Sequence, residues 1–219
     1  MKFIELDPQT AFMEAIDSLK GTNRIVVCGP ERDKQHIDQG MEVSNQSVDE
    51  IISASEKIDI HDWFSERKKV LEEDYGMDLN ESLGEWLGEA EDKQGFTLAF
   101  DVLSGKPIKD LVGAVIQTDQ SWNIPAHFRY GGWNDCPEPE IHCAIWKYWQ
   151  EKFGAQIVGL DAAVIEAYID SPPKTREEAM QLALEQYLYC YDIVTQGVET
   201  ISNLGASIIN HNSWYFWWD

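Results

Sequence analysis

The stretch "WYFWWD" sets Trp214, Tyr215, Phe216, Trp217 and Trp218 side by side before Asp219, and it constrains the fold more than any other part of the chain. Five consecutive rings must either be covered or be displayed to a partner. Aromatic residues favour strands, and the alternation of Trp214, Phe216 and Trp218 against Tyr215 and Trp217 lets an inner strand bury both faces. Each ring covers roughly 150–250 Å². At about 25 cal/mol per Å² its burial is worth several kcal/mol, more than ordering a terminus costs. The sequence therefore predicts a buried final strand.

A chain of 219 residues can bury a sizeable core as one large domain or two small ones. No stretch approaches the roughly 20 apolar residues of a membrane span. The opening "MKFIELDPQTAF" has acids where a secretory leader needs apolar residues, so the expectation is a cytoplasmic protein that does not enter a membrane. Cys28, Cys136, Cys143 and Cys190 form no CxxC pair and read as reduced thiols. The net charge is −22, and both halves share it: residues 1–110 hold 25 acids against 12 bases, and 111–219 hold 14 against 5. Such a surface repels phosphate backbones and anionic lipid. Nucleic acid is excluded as a partner, and a basic protein is the partner that the charge favours.

The pattern alternates helices and strands. "LDPQTAFMEAIDSLKG" has the spacing of an amphipathic helix, and "RIVVCG" that of a short buried strand. Residues 30–46 are polar and turn-rich and read as a loop. "SVDEIISASEK" and "DIHDWFSERKKVLEEDYG" read as helices, while "NESLGEWLGEAEDKQG" is an acidic helix with frayed ends or an exposed connector. "FTLAFDVL" and "LVGAVIQT" are strand-like, "IPAHFRY" is extended, and "GGWNDCP" is a turn. In "PEPEIHCAIWKYWQEKFG" Glu138 and Glu140 favour a helix start and Gly154 a stop. Ile141, Ile145, Tyr148 and Trp149 share one face of that helix, which puts Trp146 off the stripe. "AQIVGLDAAVIEAYID" supplies two strands turning near Asp161. In "SPPKTREEAMQLALEQYLYCYDIV" Thr175 and Glu178 form a capping box, and "VETISNLGASIINHN" is a last helix. The expected fold is α+β: a mostly helical N-terminal region, 1–110, then an α/β module, 111–219, with a mostly antiparallel sheet closed by the C-terminal strand.

The blocks "SWNIPAHFRYGGWNDCP", "WKYWQEKFGAQIVGL", "SPPKTREEAMQLALEQYLYCYDIVTQG" and "WYFWWD" resemble, in that order, the bacterial family named domain of unknown function 4253, over about residues 112–219. One position departs from its pattern: Tyr191 follows "YLYC" where proline is expected before the aspartate. The resemblance implies a C-terminal α/β module of a bacterial cytosolic protein, and no catalytic residues carry over from it.

The residues themselves leave two chemistries to weigh. A thiol just before a helix can be stabilised as thiolate, so Cys136 with His127 or His142 as base would make a nucleophile. Asp135 and Glu138 oppose that ionisation. Asn134 then serves the turn. Cys136, His142 and Cys143 do not suit one metal ion, because adjacent helical residues diverge by about 100°, and no metal or other cofactor is expected. The second chemistry is recognition: Trp122, Trp133 and Trp146, with Arg129, are aromatic and polar anchors beside acids. The leading expectation is a non-enzymatic, acidic, protein-binding module of the immunity or antitoxin kind. The alternative is a hydrolase-type enzyme with its cleft around His127, Asn134, Asp135 and Cys136.

Overall fold

The structure is a computed structural model that describes residues 1–43, 45–91 and 93–219. The strands β1 (Lys2–Glu5), β2 (Asn23–Pro30), β3 (Leu111–Gln117), β4 (Ala155–Leu160), β5 (Val164–Ile169) and β6 (Ser213–Trp217) form one sheet in the order β1-β3-β2-β4-β5-β6. Every pairing is antiparallel except β2 with β4. The fold is α+β with a mostly antiparallel sheet and a C-terminal strand, as the sequence pattern predicts. Two sheet neighbours come from before residue 110. β2 lies between β3 and β4, so the sheet runs across the compositional boundary near residue 110.

One face of the sheet carries most of the helices. These are α2 (Glu31–Val43), α3 (Val48–Ser55), α4 (Ile60–Lys69), α5 (Leu79–Leu83), α6 (Ile124–Phe128), α7 (Pro139–Phe153), α8 (Arg176–Tyr189) and α9 (Ile201–Ile208). The other face is covered by α1 (Ala11–Ser18), through Ala11 and Ala15, and by the irregular segment from Phe96 to Ile108. Local chemistry accounts for the ends of the main helices. Ser47 with Glu50 and Thr175 with Glu178 close capping boxes, and Gly154 ends α7 in the left-handed region at φ 62°.

The final strand is an edge and not an inner strand, because it pairs only with β5. Its inward set, Trp214, Phe216 and Trp218, is fully buried, while Tyr215 and Trp217 are partly covered on the opposite face. Phe216 stacks on Trp149 and meets Trp146 and Tyr189 edge-on. The rings are interior material, held at a sheet edge by helices instead of by a second strand.

Three segments differ from the sequence expectation. Residues 31–43 form α2 and not a loop; only a sparse apolar pattern marks it, with Ile37 buried and Met41 packed on the core. Residues 124–128 form α6 and are not extended. Pro125 suits the first turn of a helix, and α6 packs against α3 and α7. "FTLAFDVL" makes no strand: Leu98 and Ala99 are buried against β5, the chain bridges only at Phe100–Pro107, and Val102 and Leu103 stand in solvent at a turn pinned by Asp101.

Candidate functional site

Helix α7 is covered on two sides, by the sheet and by α3, α4 and α6. A residue off its main stripe is therefore still inside. Trp146, expected at the surface, is fully buried and packs on Trp149, Tyr189 and Phe216. Its indole N–H donates to the Tyr189 hydroxyl at 3.0 Å, and that hydroxyl lies 2.5 Å from His142 Nδ1. With the Tyr189 hydroxyl donating to Nδ1, the ring is the neutral Nε2–H tautomer. The imidazole proton then sits on Nε2, which faces Cys136 Sγ at 3.4 Å. This Cys136–His142–Tyr189–Trp146 chain threads the aromatic core, with Tyr130 and Trp218 edge-on to the imidazole.

The turn that delivers Cys136 depends on Gly131 and Gly132, at φ 111° and 80°. A Cβ on Gly131 would lie 1.8 Å from the Pro137 carbonyl and 2.8 Å from His142 Nε2, so only glycine lets the turn close over the imidazole.

Electrostatics hold the whole chain neutral. Burial pulls His142 down from 6.5 to about 3, with the Pro137 carbonyl pulling weakly the other way. Burial pushes the Cys136 thiol far up, and Cys190, Asp135 and Glu138 push the same way. Tyr189 is raised by burial too. A neutral imidazole beside a protonated, buried thiol is a packed hydrogen-bond chain and not an activated nucleophile.

The expected cleft residues separate. Asn134, Asp135 and Cys136 line a hollow of about 270 Å³ with Trp63, Arg67 and Glu138, and His127 is not part of it. Asp135 is ion-paired to Arg67 and accepts from Tyr75 Oη at 2.9 Å. Asn134 Nδ2 donates to the Asp219 carbonyl at 2.6 Å. His127 sits on α6, its pKa lowered by burial and then by the amine of Met1 and Arg129. Arg129 and Trp133 line a separate hollow of about 250 Å³ near Tyr130 and Asp161. Arg129 Nε donates to the Gln46 carbonyl at 3.0 Å. Trp122 lies under Lys147, with its indole N–H on Gln120. Among the described residues, no group of three or more His, Cys, Asp and Glu is placed to hold a metal ion.

A second titratable centre has no sequence signal beyond one acid in a strand. Glu166 on β5 is buried under the 96–108 segment and accepts from Thr97 N at 2.6 Å, Thr97 Oγ1 at 2.7 Å and Leu98 N at 3.3 Å. Burial raises it to about 7 against those three donors, and Asp161 adds to the rise. Asp161 is itself raised by burial while it accepts from Ala163 N and Val164 N.

The architecture is thus an α+β domain with an aromatic interior and closed polar centres. Residues 113–219 match the family model described as Domain of unknown function (DUF4253), in agreement with the resemblance read over 112–219. No curated protein and no solved structure matches the chain. The matched segment supplies most of β3 and all of β4 to β6, and β2, from outside it, separates β3 from β4.

Proposed function

We propose that the chain is a non-enzymatic bacterial cytosolic module that binds a basic protein through the strip formed by residues 70–91. One observation carries this reading. Glu72, Glu73, Asp74, Asp78, Glu81, Glu85, Glu89 and Glu91 are all exposed, and residues 70–91 contain no Lys, Arg or His. Exposed Tyr75, Leu83 and Leu87 are interleaved with them. Carboxylates steer a basic partner, and apolar anchors supply area once it has docked. Among the described residues, only Lys68 and Lys93, flanking the strip, form ion pairs with its acids, at 3.9 Å to Glu72 and 3.5 Å to Glu89.

This places recognition on aliphatic and tyrosyl anchors and not on Trp122, Trp133 and Trp146, because none of the nine Trp is exposed. The hydrolase alternative draws no comparable support: its thiol is buried and its His127 lies apart from it.

The test is a partner isolated from the native cell and mapped by hydrogen exchange on the intact chain. Protection is expected over 70–91, with affinity falling steeply as salt rises. The triple variant Glu81→Lys, Glu85→Lys, Glu89→Lys should weaken binding by about tenfold or more. Protection confined to other segments, or affinity indifferent to salt and to charge reversal, overturns the proposal.

A further inference from the structure

We infer that the hollow outside the carboxyl ends of β2 and β4 is a binding site for a free α-amino acid with an apolar side chain. β2 and β4 are the single parallel pair among the described strands, and their chains part at these ends: β2 runs on into α2, and β4 turns back into β5. In sheets with parallel neighbours, ligands sit in the crevice that such a parting leaves. The hollow holds about 250 Å³.

Two opposite charges line it, and neither is neutralised. Asp161, at the end of β4, and Arg129, at the end of α6, both border the hollow and both keep accessible surface. Asp161 Oδ1 accepts from Ala163 N and Val164 N, each at 2.8 Å, and Arg129 Nε donates to the Gln46 carbonyl at 3.0 Å. Among the described residues no hydrogen bond reaches Asp161 Oδ2 or the Arg129 Nη atoms, and neither residue enters an ion pair. Burial raises Asp161 against its two backbone donors, and Asp33 adds to the rise, as for a carboxylate that lacks a counter-charge. Charged groups in a partly closed hollow are costly to leave unpaired, and one molecule carrying both charges satisfies both at once. Arg129 adds a conformational sign. It ends α6 in the left-handed region at φ 48°, where a helix end ordinarily takes glycine, so a long cationic side chain stands where the turn alone favours none. Asp161 also borders a hollow on the other face of the sheet, but there Arg32 and Asp33 already pair with each other at 3.8 Å.

The remaining wall selects the ligand. Ile37, Phe128, Tyr130, Trp133 and Leu160 offer an apolar and aromatic lining for a side chain. The α-ammonium would meet Asp161 Oδ2, and the carboxylate would take the paired Nη donors of Arg129. A zwitterion carries no net charge, so a chain of net charge −22 does not repel it. An apolar cavity of about 150 Å³ takes a benzene ring, so this one has room for leucine.

L-Leucine, 4-methylpentanoate and 3-methylbutylamine are the probes; the second lacks the ammonium and the third lacks the carboxylate. They are titrated into the full chain and followed by the backbone amide resonances of Trp133, Leu160 and Ala162, which line the hollow. Leucine should move these signals saturably, and each one-charge probe should bind at least about tenfold more weakly. The amine is the stricter control, because an acidic chain attracts cations everywhere. Two variants assign the charges. Asp161→Asn keeps an Oδ1 acceptor for the turn and should erase leucine's advantage over 4-methylpentanoate, whereas Arg129→Met keeps an apolar stem and should erase its advantage over the amine. The comparison of the three probes on the parent chain holds even if a variant fails to fold. No saturable shift over the millimolar range, shifts confined to other segments, leucine no tighter than a one-charge probe, or either advantage intact in its folded variant overturns the assignment.

Discussion

The two faces of the sheet bury a titratable group in opposite ways. On the helical face His142 is enclosed by rings and kept uncharged by burial, with the Tyr189 hydroxyl 2.5 Å from its Nδ1. On the other face Glu166 is enclosed by an irregular segment whose main-chain and side-chain donors converge on the carboxylate. The first arrangement stabilises the neutral form, as burial also does. In the second, burial opposes what the donors favour, and burial wins. The fold should therefore respond to pH with two slopes of opposite sign.

The largest effect belongs to His142. The unfolded chain takes up its proton near 6.5 and the folded protein only near 3, so the unfolded state binds more protons across that window. Stability falls as pH drops from 6.5 toward 3, by about 5 kcal/mol. Urea denaturation between pH 8 and pH 3.5 measures the loss, and the imidazole nitrogen shifts of His142 assign it. A ring that becomes charged near pH 6 in the folded protein ends the contrast between the faces.

Glu166 runs the other way. Unfolded, it loses its proton near 4.5; folded, near 7; so stability falls as pH rises through that interval, by about 3 kcal/mol. Between pH 4.5 and 6.5 the two slopes offset each other, and the stability of the parent protein should be nearly flat there. Glu166→Gln removes the opposing slope and should turn the plateau into a rise toward neutral pH. If the variant's curve overlays the parent's, Glu166 is not protonated inside the fold.

How far each centre could be read from sequence follows from what covers it. The His142 helix announces itself through Pro139 at its start, Gly154 at its end and the aromatic density along it. "GGWNDCP" marks the turn that brings Cys136 to the ring. What could not be read is that helices lie on both sides of α7, because Trp146 shows its burial only once α3, α4 and α6 are in place. Glu166 is harder still. The alternation Val164, Glu166, Tyr168 is the pattern of a strand face turned to water, and its cover is a segment without regular structure that the apolar run Leu98–Ala99 hints at. The sheet itself was half legible: β2 to β6 follow from apolar runs and Gly or Asp turns, whereas nothing local tells β2 to insert between β3 and β4. The acidic strip was visible as charge; that its eight carboxylates all face solvent needed the fold.

The smallest of these effects is also the most direct probe of the helical face. Tyr189→Phe preserves the ring that packs on Trp146, Trp149, Phe216 and Trp218 and deletes only the hydroxyl. Trp146 Nε1 and His142 Nδ1 then lose their partner together, for a cost of about 2 kcal/mol. The pH dependence changes as well. Without a donor on Nδ1 the neutral imidazole is less favoured, the folded pKa of His142 moves up toward 6.5, and the acid limb of the stability curve becomes shallower. Denaturation of the variant at pH 7 and pH 4 reads both consequences. A phenylalanine variant as stable as the parent, with the same acid limb, would mean that burial alone keeps His142 uncharged and that the hydrogen-bond chain through Tyr189 contributes nothing to it.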